Sequence, residues 1–146
     1  MRREIHSGFI RLCLAVSILM LSTCSGGKTD RETYIAPSLS DQVIEIYFFH
    51  FSRKCNSCEA IKSEIPAFLQ QFYPEEWKSG KIVFRMVNTE TDQGKEIARD
   101  LDIIGQQVLI FKGTLSIEIT QPAFLFAHDD PERFGAILKE EIDKLL

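Results

Sequence analysis

The sequence is poor in the residues that build metal clusters and disulfide frameworks. It has four cysteines and three histidines among 146 residues. Two of the cysteines, Cys55 and Cys58, form a C-x-x-C pair, whereas Cys13 and Cys24 stand alone near the N-terminus. A ladder of cysteines marks a small disulfide scaffold, and a zinc ribbon needs a second C-x-x-C pair. The counts therefore exclude both classes for a single chain.

Positive charge is also scarce. The chain has 17 basic and 21 acidic residues, for a formal net charge of −4. The basic residues form no stripe or cluster, and binding to a phosphate backbone requires clustered Lys and Arg. Nucleic acid is therefore excluded as a partner.

Apolar runs long enough to cross a membrane are absent as well. The apolar run near the N-terminus, residues 12–21, contains only apolar or small residues. A spanning helix needs about 20 such residues, so ten fit the core of a signal peptide better. Arg2, Arg3 and Arg11 precede the run and supply the positive charge that such peptides carry. Residues 1–23 are therefore predicted to be a signal peptide.

The signal ends in Leu21-Ser22-Thr23-Cys24, which resembles a bacterial lipobox. That resemblance implies that Cys24 is lipidated and becomes the mature N-terminus. It also implies anchoring in a bacterial cell envelope outside the cytoplasm, on the periplasmic face. Ser25 resembles the subset destined for the outer membrane. The alternative is a chance cysteine at the end of an ordinary signal. Residues 24–40 begin with a small, polar, Gly-rich stretch, which is typical of a flexible tether.

The rest of the chain, residues 41–146, has the pattern of one α/β domain. The apolar, β-branched and aromatic run 43–51 predicts a central strand covered on both faces. Apolar residues then recur every three or four positions from Cys58 to Phe72, which predicts an amphipathic helix kinked at Pro66. The other predicted elements are strands at 81–88, 106–111 and 115–119, helices at 91–101 and from 131, and a short helix or turn from 122.

The predicted order of elements is β-α-β-α-β-β-α. A strand, a crossover helix and a second strand imply parallel pairing. The turn at Lys112-Gly113-Thr114 predicts an antiparallel hairpin at the end of the sheet. The sequence therefore predicts a mixed four-stranded sheet flanked by helices.

The C-x-x-C pair lies where the first predicted strand gives way to its helix. A helix N-terminus carries about +0.5 of an elementary charge, which favours a thiolate. Arg53 and Lys54 add positive charge beside it. Cys55 is therefore predicted to be the exposed nucleophile. Cys58, one turn deeper on the apolar face, is predicted to resolve the mixed disulfide.

Other interpretations of this region stay open at this point. The pair could bind a thiophilic ion such as arsenite, copper(I) or zinc, with His50 as a third ligand. It could also be an inert pair in a domain used only for protein contact. His50 itself could be a proton shuttle or a strand-end residue bound to a loop. Glu45 could be a buried proton acceptor for the dithiol or could point to solvent at a sheet edge.

Over residues 41–146 the strand, dithiol, kinked helix and terminal ββα unit resemble thioredoxin-like proteins. Within that group, residues 47–50 and 53–61 are similar to the small, often exported family named ArsF, also labelled a nitrophenyl compound nitroreductase subunit. The resemblance implies that Cys55 and Cys58 are a redox pair acting on a partner protein, with His50 as a signature position. The chain has no flavin-binding signature, and no cofactor is predicted.

Two departures from ordinary thioredoxins are informative. Lys54 precedes the dithiol, where thioredoxins have an aromatic residue. Asn56 and Ser57 lie between the two cysteines, where thioredoxins have Gly-Pro. Thioredoxins also have a cis-proline before the third strand, where Gln107 or its neighbour is expected here. A non-proline cis bond costs about 2.5–4 kcal/mol, so a trans peptide is expected. The missing proline favours a dedicated partner or a thiophilic ion over general disulfide reduction.

Overall fold

The computed structural model describes residues 40–146 of the chain. The predicted signal peptide, the lipidation site at Cys24 and all of the tether except Ser40 lie outside the described residues. The described elements are β1 (Ile44–His50), α1 (Asn56–Phe72), α2 (Pro74–Ser79), β2 (Ile82–Asn88), α3 (Asp92–Asp100), β3 (Gln107–Lys112), β4 (Leu115–Glu118), α4 (Thr120–Phe126) and α5 (Pro131–Asp143).

The four strands form one mixed sheet in the order β2-β1-β3-β4. Strands β1 and β2 run parallel, with Ile44 opposite Ile82, as the crossover through α1 requires. Strand β3 is antiparallel to β1, and β4 closes the predicted hairpin with β3. This order and these directions define the α/β thioredoxin-like fold, so the predicted fold class is confirmed.

Strand β1 lies in the middle of the sheet and is covered on both faces. Successive side chains of a strand point to opposite faces. Ile46 and Phe48 therefore join the larger core with α1, α4 and α5, whereas Tyr47 and Phe49 pack on the other face with Ile97 of α3. The apolar run is buried from Ile44 to Phe49, as its composition predicts.

Helix α1 begins directly after Cys55 and buries a stripe formed by Cys58, Ile61, Ile65 and Leu69. Their spacing of three or four residues places them on one face, against the sheet. The helix continues through Pro66 to Phe72 as one element. In the described part of the chain, no helix is long and apolar enough to cross a membrane.

Two short helices refine the predicted order. Helix α2 was not predicted, although Pro74 at its first turn, Glu75 and Glu76 after it and the left-handed Gly80 at its end are ordinary helix signals. Helix α4 begins at Thr120, two residues before the predicted start at Pro122. The final helix opens as predicted, with the side chain of Asp130 accepting the Arg133 N–H.

Candidate active site

Cys55 is the N-cap residue of α1. Its backbone is extended (φ −141°, ψ 153°), and its Sγ accepts the backbone N–H of Cys58 at 3.0 Å. An N-cap side chain satisfies one of the free N–H groups in the first turn of a helix. In this protein a sulfur atom takes that position, so a thiolate on Cys55 would have a backbone donor and the helix dipole directed at it.

The two cysteines are joined in a disulfide, with their Cα atoms 5.1 Å apart. Their exposure differs strongly. Cys55 is partly exposed, whereas Cys58 is only 2% exposed and belongs to the main core. Cys55 is therefore the cysteine of the pair that another molecule can reach more easily. This pair fits a thiol–disulfide oxidoreductase.

The first turn of α1 carries charges of both signs. Arg53 and Lys54, just before the dithiol, are both exposed. The ammonium of Lys62 is hydrogen-bonded to Glu59 and holds the pKa of that carboxyl below its ordinary value, and the charges of Lys54 and His50 act in the same direction. The basic approach to the dithiol is thus partly balanced by one exposed carboxylate.

His50 ends β1 and is bound to the adjoining loop. Its Nδ1–H donates to the backbone carbonyl of Phe51 at 2.8 Å, and its ring lies 5.4 Å from that of Phe48. The interpretation as a loop-bound histidine is confirmed. Within residues 40–146, no group of three His, Cys, Asp or Glu side chains is placed to hold a metal ion.

Glu45 lies neither in solvent at a sheet edge nor beside the dithiol. It is 1% exposed and accepts hydrogen bonds from the Tyr47 hydroxyl at 3.1 Å and from Nε of Arg85 at 3.3 Å. It shares a sheet face with Tyr47, opposite the face that packs on α1. It also precedes His50 by five residues, about 16 Å along a strand. The solvent-exposed alternative is therefore wrong, and Glu45 is buried as the other alternative predicts, at the end of β1 away from the dithiol.

Burial raises the pKa of Tyr47 well above its ordinary value, and the neighbouring Glu45 carboxylate acts in the same direction. Tyr47 therefore stays protonated and keeps donating to Glu45. Together with the ion pair between Glu45 and Arg85, this makes a polar cluster inside the sheet. The cluster has a structural role, far from the sulfur atoms.

Gln106, the neighbour of Gln107, contacts the dithiol. Gln106 lies in the loop that leads into β3, and its Nε2 is 3.4 Å from Sγ of Cys58. Gln107 is already part of β3, with its Cα opposite that of Phe49. The expected trans peptide is confirmed, because residues 40–146 contain no cis peptide bond.

The loop before Cys55 is anchored by residues that sequence analysis did not single out. The carboxylate of Glu90 accepts the Ser52 N–H at 2.7 Å, and Nδ2 of Asn88 donates to the Ser52 hydroxyl at 3.0 Å. The Thr89 N–H donates to the His50 carbonyl at 2.9 Å. Parallel strands end at the same edge of a sheet, so the polar run after β2 could have been matched to the loop after β1.

No protein-family model and no curated protein sequence matches this chain. Among solved structures it is similar to oxidised thioredoxin O2 from Arabidopsis thaliana, with 17% identity, a TM-score of 0.48, and coverage of 68% of this chain and 75% of that one. It is also similar to the germline-specific thioredoxin Deadhead from Drosophila melanogaster, with 12% identity, a TM-score of 0.45, and coverage of 68% and 82%. A structure described as a malarial protein gives 11% identity, a TM-score of 0.46, and coverage of 67% and 96%. The fold assignment itself depends on strand order and direction.

Proposed function

We propose that the domain is a thiol–disulfide oxidoreductase that exchanges two electrons with a partner protein through Cys55 and Cys58. The observation that carries this proposal is the disulfide at the start of α1, which joins a partly exposed Cys55 to a buried Cys58. An inert structural pair would have no need of a partly exposed cysteine at a helix N-terminus, the position that activates a thiol.

The exchange balances in both directions. A thiolate of the partner attacks Sγ of Cys55, the disulfide breaks, and its electron pair leaves on Sγ of Cys58. A second partner thiolate then attacks the partner's own sulfur in the mixed disulfide. This step releases an oxidised partner and a reduced domain. In the reverse direction the Cys55 thiolate attacks a partner disulfide, and Cys58 resolves the mixed disulfide.

The proposal is tested by equilibrating the full chain in glutathione buffers of graded potential and alkylating the free thiols. Mass mapping of the labelled peptides separates Cys55 and Cys58 from Cys13 and Cys24. We expect Cys55 and Cys58 to change together, in a single two-electron transition. A pair that stays oxidised or stays reduced across the whole range would sink the proposal.

A matched pair of variants tests the assigned roles. Cys58→Ser removes the resolving thiol, so we expect it to accumulate a stable mixed disulfide with a small disulfide reagent. Cys55→Ser keeps only the buried thiol, and we expect little adduct under the same conditions. If Cys55→Ser accumulated the adduct faster, the two roles would have to be exchanged.

We further propose that the domain works outside the cytoplasm of a bacterium, held at a membrane by a lipid on Cys24. The support is the positively charged start, the short apolar run and the lipobox-like end of residues 1–24. Metabolic labelling with a clickable palmitate analogue tests this proposal. We expect labelling of the native chain and of Cys13→Ser, and loss of label and of membrane association in Cys24→Ser. Label retained in Cys24→Ser would contradict lipidation at that residue.

A further inference from the structure

The buried sulfur of the disulfide has one side-chain amide beside it. Nε2 of Gln106 lies 3.4 Å from Sγ of Cys58, and the two residues are 48 positions apart in the chain. Among residues 40–146, Glu45 is the only buried charged side chain, and it lies on the other face of the sheet. The described structure therefore places a neutral amide, and no buried carboxylate, next to the sulfur that must accept the electron pair.

The backbone around Gln106 is held on both sides. Before it, the Ile103 N–H donates to the Ala98 carbonyl at 2.7 Å, and Gly105 takes a left-handed conformation (φ 79°) that suits glycine. After it, the Val108 N–H donates to the Thr120 hydroxyl at 3.0 Å. The side chain of Gln106 is thus directed at Cys58 from an anchored loop.

The reduction step makes a specific demand at this place. When a thiolate attacks Sγ of Cys55, the electron pair of the broken S–S bond goes to Sγ of Cys58, which is 2% exposed. An anion formed away from water is costly unless a hydrogen-bond donor faces it. The backbone N–H of Cys58 already donates to the Cys55 sulfur, so it is directed elsewhere.

We propose that Gln106 is a positioning residue that donates its amide N–H to the Cys58 thiolate and thereby raises the reduction potential of the dithiol. This inference rests on the proposed oxidoreductase function. A hydrogen bond to a charged acceptor is stronger than one to a neutral disulfide sulfur. The amide therefore stabilises the reduced form more than the oxidised form. It also makes Cys58 a better leaving group when the disulfide is attacked.

Two substitutions at Gln106 should act in opposite directions. Gln106→Met keeps the length of the side chain but removes the donor. We expect it to favour the disulfide by about tenfold, which lowers the potential by about 30 mV for a two-electron couple. Gln106→Lys places a charged donor at the same position, and we expect a shift of the opposite sign. Gln106→Ala should shift the reduction potential in the same direction as Gln106→Met. It is the variant to measure if Gln106→Met folds poorly.

The pH dependence separates this role from a merely structural one. Removing the donor destabilises the thiolate and not the thiol, so Gln106→Met should raise the pKa of the Cys58 thiol. Its effect on the potential should grow as the pH rises and the thiolate form of Cys58 becomes more populated in the reduced protein. The effect should disappear at low pH, where both forms are neutral. Glutathione equilibria of the full chain between pH 5 and pH 9 measure this profile.

Gln121→Met, at an exposed position on α4, is the matched control and should keep the native potential. Gln107→Met tests the neighbouring glutamine, and a larger shift there than at Gln106 would overturn the assignment. Equal potentials for the native chain, Gln106→Met and Gln106→Lys would overturn it too, as would shifts of the same sign in both variants.

Urea unfolding of each oxidised variant checks that it is folded. If the native pair does not cycle at all, the proposed function itself fails; if it cycles and the Gln106 variants match it, only this inference fails.

Discussion

At the residue scale, two chemically identical side chains differ in burial. Cys55 is partly exposed at the N-cap, and Cys58 lies in the core one turn later. Hydrogen bonding explains why a buried carboxylate is tolerated in an apolar strand. Glu45 is stable inside the sheet because Tyr47 and Arg85 both donate to it.

Replacing Glu45 should affect stability and leave the dithiol unchanged. Glu45→Gln keeps the shape of the side chain but removes the charge that pairs with Arg85, which is about one-third exposed. We expect the free energy of unfolding in urea to fall by about 1–2 kcal/mol, less than the roughly 3–5 kcal/mol lost when a fully buried pair is broken, because Arg85 keeps some solvent. The reduction potential should match that of the native chain. A changed potential would instead place Glu45 in the redox machinery.

At the scale of secondary-structure elements, the loop between β1 and α1 depends on the end of β2. Hydrogen bonds from Ser52, first from its hydroxyl and then from its backbone N–H, hold the pKa of Glu90 below its ordinary value. A carboxyl whose pKa is lowered by folding stabilises the native state above its unfolded pKa. That contribution is lost as the pH falls through the folded value.

The anchor at Glu90 should therefore weaken in acid. We expect amide exchange at Ser52, corrected for its intrinsic pH dependence, to be slow at pH 6 and to speed up below about pH 4.5, the ordinary Glu range. Glu90→Ala should exchange quickly at both pH values. Glu96→Ala, an exposed carboxylate on α3, is the matched control and should behave like the native chain. Protection of Ser52 that persists in Glu90→Ala would mean that another group holds the loop.

Pro66 inside α1 offers a second test at this scale. Proline cannot donate to the carbonyl four residues earlier, and it costs about 3 kcal/mol relative to alanine within a helix. Part of that cost is offset because proline also restricts the unfolded chain. We expect Pro66→Ala to raise the free energy of unfolding by about 1–3 kcal/mol in urea denaturation. A loss of stability would mean that the backbone of α1 is shaped around the proline.

Local patterns and tertiary contacts were not equally predictable. The strand Ile44–His50 and the stripe from Cys58 to Leu69 were correctly predicted because both follow from the spacing of apolar residues along the chain. The ends of the predicted runs were wrong, since Phe51 and Phe72 are exposed. The contact between Glu90 and Ser52 joins residues 38 positions apart, so it depends on the parallel pairing of β1 and β2. The choice between Gln106 and Gln107 depends on where β3 begins. A shift of one residue turns a side chain to the other face.

At the scale of the whole molecule, the disulfide closes a very short loop. Closing four residues removes little conformational entropy from the unfolded chain, so a stabilisation of about 2 kcal/mol is expected. We predict that the free energy of unfolding of the oxidised chain exceeds that of the Cys55→Ser/Cys58→Ser double variant by about that amount, as measured by urea denaturation. A double variant as stable as the oxidised chain would mean that strain in the native state cancels the stabilisation by the disulfide.

The described chain enters the sheet at the end opposite to the sulfur atoms. The Ser40 carbonyl accepts the Gly113 N–H at the β3–β4 turn, whereas the dithiol follows the other end of β1. Seven strand residues separate the two ends by about 23 Å. A partner that reacts with the Cys55 sulfur therefore contacts the domain at the end of the sheet away from the point where the described chain enters it.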